Sequence, residues 1–174
     1  MVFLFAKEIH LPLISVILYK NRIMEATFNI MESNRKNILK LVENYSVEQL
    51  NKIPDGFSNN LVWNLGHIIV SQQGLVYRLS GLPYNIPDEM VLTYKNGSKP
   101  TGTTSEAEII ELKRLLFALI EQTRQDYIDG KFTSYREFVT GTGFLLTSTQ
   151  DALEYNNCHE ALHLGLMMNI QKFL

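Results

Sequence analysis

Cysteine is nearly missing from this sequence: among 174 residues, only Cys158 carries a thiol. A single cysteine excludes an internal disulfide framework and suits a reducing, cytoplasmic compartment. An excess of positive charge is missing as well. Lys and Arg number 16 against 18 Asp and Glu, giving a net charge of -2 and a pI near 6.1. An electrostatic nucleic-acid binder carries a basic stripe and a high pI, so no nucleic-acid partner is expected. A long apolar run is the third absence. The N-terminal "MVFLFAKEIHLPLISVILYKNRIM" is apolar, but Lys7, Glu8 and His10 interrupt it, and "LPLISVILY" is too short to cross a bilayer as a helix. No basic region precedes that run and no small-residue cleavage site follows it, so neither a signal peptide nor a membrane partner is expected. Residues 1–23 read either as a peripheral extension packed on the domain or as sequence upstream of a true start at Met24 or Met31. The second is the expectation, with the domain placed at residues 24–174.

What remains is ordinary in bulk (45% hydrophobic, 20% charged) and long enough to bury a core as one domain. Apolar residues recur at helical spacing from Met24 to about Tyr45, where Phe28, Met31, Ile38, Leu41, Val42 and Tyr45 mark the core side. Arg35, Lys36 and Lys40 then fall to solvent. Ser46 and Gln49 form a capping-box pair for a short helix that Pro54 closes. A second long helix is expected from about Ser58 to Ser80, capped by Asn59 or Asn60 and stopped by Gly81. Residues 81–104 hold three of the five prolines and read as a long surface loop. A third helix starts at Ser105 or Glu106 and ends before Asp129–Gly130. Residues 131–148 are rich in β-branched, aromatic and glycine residues and read as irregular or briefly extended. The last helix begins near Thr149. Four long helices with long crossover loops predict an all-α four-helix bundle.

The last helix carries "CHEALHLG", and with it H-E-x-x-H at His159, Glu160 and His163. Residues four apart stack on one helical face, about 6 Å apart along the axis, so this pair can chelate one ion. Zinc, nickel, iron and copper all accept two imidazoles. Asn156 lies one turn earlier and is expected on the same face, able to bond a ligand or substrate. In the second helix, Asn60, Asn64, His67, Ser71, Gly74 and Arg78 form a polar stripe on an otherwise apolar segment containing Trp63 and Leu65. Buried polar groups must be satisfied, and lining a metal pocket would satisfy them. The plainer alternatives are a core histidine bonded to a carbonyl at position 67 and two unrelated histidines on the last helix. Three histidines from two helices would leave positions open for water or substrate, unlike a closed structural zinc site.

A zinc peptidase fits poorly. The extended peptidase pattern needs glycine at 166 and histidine at 169, where this chain has Leu166 and Asn169. Glu160 lies about 100° round the helix from His159, and a structural role is expected for it ahead of a general-base role. Cys158 reads as a small buried apolar residue rather than a nucleophile. Tyr77, Tyr84, Tyr94 and Tyr155 could line a pocket, although most tyrosines of a bundle serve packing.

"NLVWNLGHIIVSQQGLVYRLSGLP", followed after a loop and a helix by "NNCHEALHLGLM", resembles the DinB-like superfamily of DNA-damage-inducible proteins over residues 27–174. The resemblance implies a four-helix bundle with a divalent metal on one histidine of the second helix and two of the last. By position these are His67, His159 and His163, with the metal left open among zinc, nickel and iron. Relatives include S-transferases that use bacillithiol or mycothiol and a thiol-dependent maleylpyruvate isomerase. The resemblance therefore implies a metal that activates a low-molecular-weight thiol towards a small electrophile. It also implies a stress-response setting and a homodimer. Two rivals stand beside it: a non-catalytic metal-binding protein, and a metal-assisted hydrolase with Glu160 as catalytic base.

Overall fold

Helical periodicity becomes six helices among residues 13–174, which are the residues described by the computed structural model. Helix α1 spans Leu13–Val42, α2 Val47–Asn51, α3 Leu61–Val76, α4 Asp88–Tyr94, α5 Glu106–Ile128 and α6 Thr149–Ile170. The first helix therefore starts at Leu13, ahead of the expected Met24. Residues 1–12 lie outside the described residues, so that part of the expected extension receives no structural account. Caps follow the sequence closely. Ser46 and Ser105 head α2 and α5 with full capping boxes to Gln49 and Glu108, and the Asn60 carbonyl oxygen Oδ1 accepts the Trp63 N–H at the start of α3. Gly81, at φ 76°, ends the turn that follows α3 in the left-handed conformation that glycine tolerates best.

Helices α1, α6, α3 and α5 pack in that cyclic order. Hydrogen bonds fix their directions. Asn64 meets His163 and Ser80 meets Thr149, so α3 and α6 are antiparallel. Gln72 and Tyr77 both meet Thr123, and Tyr77 also meets Asp126, so α3 and α5 run parallel. Parallel neighbours require a crossover, since the chain must return along the length of α3, about 24 Å at 1.5 Å per residue. Residues 81–104 make that return, and they are more than a loop. Helix α4 forms within them and lies along α3. Its start carries Asp88 and Glu89, whose charges suit a helix N-terminus. Residues 131–148 form a two-stranded antiparallel hairpin, β1 (Phe138–Val139) and β2 (Leu145–Leu146), with Phe138 opposite Leu146.

The core falls into two clusters. One gathers Ile38, Leu61, Leu65, Ile68, Leu112, Leu116, Met167 and Ile170; the other gathers Phe28, Met31, Val76, Tyr77, Ile120 and Leu153. A polar layer passes between them, and Arg35 is its centre. The sequence places this residue in solvent, but it is 0% exposed. Its guanidinium donates to Glu160 at 2.6 Å, to Gln72 Oε1 at 3.1 Å and to the Leu116 carbonyl at 2.5 Å. All four bundle helices thus meet on one side chain. A lone charge in that position would be strongly destabilising, and the carboxylate and carbonyls around it make burial tolerable.

Candidate metal centre

The antiparallel seam of α3 and α6 brings His67 against His159 and His163. Ring centroids lie 5.3 Å apart for His67–His159, 4.7 Å for His67–His163 and 4.5 Å for His159–His163. One ligand nitrogen from each ring lies within 4.8 Å of the others, a set able to hold one metal ion. The i,i+4 spacing on α6 supplies two rings on one face, and α3 supplies the third across the seam.

Each ring is oriented by a different device. The His67 Nδ1–H donates to the main-chain carbonyl of Tyr94 at 2.8 Å, so Nε2 carries the lone pair, and the Ser71 hydroxyl donates to it at 3.2 Å. Trp63, one turn earlier, stacks on the His67 ring at 4.5 Å and 11°. Its indole N–H donates to Ser98 Oγ beyond α4. At His163, Nδ1 lies 2.8 Å from Asn64 Oδ1. The Asn64 amide nitrogen already donates to Asn59 Oδ1 and to the Asn60 carbonyl, so its oxygen must face the ring and Nδ1 must bear the proton. The Nδ1 of His159 differs: it is buried and has no hydrogen-bond partner among the described residues. A buried nitrogen without a partner is costly, and an ion drawn to this cluster is one way to relieve it. The residues present therefore fit a divalent metal.

The electrostatics agree. Burial lowers the pKa of His67. Burial and then the neighbouring His67 bring His159 down to about 4. Burial, followed by His159 and His67, brings His163 to about 3. All three imidazoles are neutral near pH 7, the form that binds metal.

Of the sequence-predicted residues, His67, His159, His163, Asn64 and Ser71 come together. Others do not. Asn156 is fully buried and donates to Glu160 Oε1 at 2.8 Å, because 156 and 160 share the face that looks towards α1. Both Glu160 oxygens receive the Arg35 guanidinium, and the side chain is 0% exposed. Cys158, expected in the core, is exposed, since it falls on the outer face of α6. Arg78 is also exposed and donates to the Tyr84 hydroxyl at 3.2 Å. Tyr77 sits in the buried network around Thr123 and Asp126, where burial raises its pKa.

Three contributors escape sequence reasoning: the Tyr94 carbonyl, the Trp63 stack and Gly66. A Cβ on Gly66 would lie 2.3 Å from the Tyr94 ring, so only glycine lets that ring press against α3. This contact seats the Tyr94 carbonyl on His67. A glycine inside a helix costs about 1 kcal/mol relative to alanine, which was the available signal that something packs there.

No helix among the described residues is long and apolar enough to cross a membrane. A family model described as the DinB superfamily matches residues 30–167. No curated protein matches the chain.

Proposed function

The chain belongs to the DinB superfamily, and from that premise we propose a divalent-metal enzyme that transfers a low-molecular-weight thiol to an electrophilic small molecule. His67, His159 and His163 hold the ion in this reading. The observation that carries it is three neutral imidazoles, one buried and two half-buried, converging with one buried nitrogen unpartnered among the described residues. When bound, zinc, nickel or iron supplies Lewis acidity that favours thiolate over thiol at neutral pH. The chain's own residues prepare the site. The Tyr94 carbonyl and the Asn64 amide fix two ring tautomers, Trp63 holds the plane of His67, and burial keeps protons off all three rings. The sulfur of the thiol forms its new bond to the electrophilic carbon as the leaving group departs with its electron pair, and the thiol proton passes to solvent.

The protein acts in the cytoplasm in this reading, on a small-molecule substrate, with a homodimer as the assembly to test by sedimentation. The rival without turnover, a metal-binding stress-response protein, shares the same ligands. A metal-assisted hydrolase would need Glu160 as base, and the engagement of both its oxygens by Arg35 supports a structural role instead.

Metal content decides the first point. Wild-type protein is expected to bind about one ion per chain, with loss in His67→Ala and His159→Ala; a metal-free wild type after reconstitution would sink the site. A panel of small thiols offered with a general electrophile decides the second. Bound metal without thiol consumption would favour the non-catalytic reading, and peptide cleavage abolished by Glu160→Gln would favour the hydrolase.

A further inference from the structure

The histidine cluster is closed at one end and open at the other. Towards the start of α3, Asn64 covers His163, and the Tyr94 segment covers the edge of His67. Towards the end of α3 stand Ser71 and Gly74, and a Cβ on Gly74 would meet no atom of the described residues within 4 Å. Because α6 is antiparallel, the α6 residue beside this open end is Tyr155, one turn before His159 on the same face. Its ring lies 6.5 Å from the His159 ring at 31°. The hairpin then adds Phe144, 6.1 Å from Tyr155 and 17° from parallel. A run of rings thus leads from the half-buried His159 out to Phe144, whose side chain is 56% exposed.

Hydroxyls lace the hairpin tip to this run. Tyr155 Oη lies 3.1 Å from Thr142 Oγ1, and Thr142 Oγ1 lies 3.0 Å from Thr140 Oγ1, which accepts the Phe144 N–H. Phe144 is therefore held in place rather than trailing in solvent. The same short hairpin also exposes Phe138, Val139 and Leu145. Apolar exposure concentrated in one patch is a mark of ligand contact.

We propose that Tyr155 and Phe144 form an aryl-binding wall at the open end of the histidine cluster, selecting ligands that carry a flat apolar group next to their metal-seeking atom. The inference rests on the reading that the cluster holds a metal, and it names the chemical class of molecule that site takes.

The test compares two probes on full-length protein loaded with cobalt(II), imidazole and 4-phenylimidazole, titrated by visible absorption. The aryl probe is expected to bind about 10-fold more tightly than imidazole, roughly the gain from burying one ring face. Phe144→Ala should reduce that ratio to about 2–3-fold while leaving the imidazole affinity unchanged, as expected when one face of the wall is lost. Phe144→Leu should keep part of the preference, and Ile110→Ala, an exposed apolar change on α5, should keep all of it. Equal affinity for the two probes, or a ratio that Phe144→Ala does not alter, would overturn the wall while leaving the metal site standing. No cobalt spectrum in wild-type protein would overturn the metal reading and the wall with it.

Discussion

Two neighbouring residues of α6, His159 and Glu160, face opposite problems. Glu160 points towards α1, where Arg35 donates to its carboxylate and balances its charge, and Asn156 of its own helix donates as well. His159 points towards α3 and keeps a buried nitrogen with no partner among the described residues. Both lie in the interior of the same bundle, about 100° apart on one helix. The first is saturated by the chain itself; the second keeps a nitrogen able to meet a ligand. The difference separates a polar group that specifies the fold from one that invites a ligand.

The largest effect should come from the saturated side. Arg35→Met leaves the Glu160 carboxylate buried without its cation, and urea unfolding is expected to show a loss of about 3–5 kcal/mol. The double change Arg35→Met with Glu160→Leu should recover much of that loss. Metal content per folded molecule should stay the same in both; a parallel loss of metal would erase the distinction between the two faces.

Gly66→Ala attacks the other side at a distance. The added methyl must displace the Tyr94 ring, and with it the carbonyl that orients His67. Metal affinity should fall about 10–100-fold, the range typical when the group orienting a metal-bound histidine is lost. Adding Tyr94→Ala to the variant removes the clashing ring and should return part of the affinity, as competition with a chromophoric chelator would report.

The smallest effect concerns acid. In the metal-free protein the folded state holds His159 and His163 at about 4 and 3, below their ordinary value near 6.5. As pH falls below 6.5, the unfolded chain takes up protons that the folded one refuses. Stability is therefore complete above about pH 7 and declines towards pH 4 and 3. Between pH 7 and 6 the loss should be about 1 kcal/mol. His159→Ala with His163→Ala should flatten that slope, whereas the double change Arg35→Met with Glu160→Leu, which removes both charges of the other face, should leave it in place.

The sequence carried the helices and the three ring positions well, because period and capping are local. Ser105 with Glu108, Asn60, Gly81 and the H-x-x-x-H pair all act within a few residues of themselves. What it could not carry depended on partners far along the chain. Arg35 sits among polar neighbours on α1, and nothing nearby announces a carboxylate 125 positions later. Asn156 follows the same rule: its spacing to His159 suggested one face, and its spacing to Glu160 decided the other. Helix α4 was obscured by the prolines around it, although Asp88 and Glu89 marked its start. The Tyr94 carbonyl is main chain, so no residue identity could have flagged it.

The long reach of that ion pair bears on the order in which the protein can be made. Helices α1, α3 and α5 all leave the ribosome before α6, so for most of synthesis Arg35 has no carboxylate to meet. Until Glu160 is available, burying the Arg35 guanidinium would leave its charge without the carboxylate that balances it. When α6 arrives, it brings Glu160 to Arg35 and His159 and His163 to His67 in one docking step. Completion of the core and the approach of His159 and His163 to His67 thus depend on the same helix.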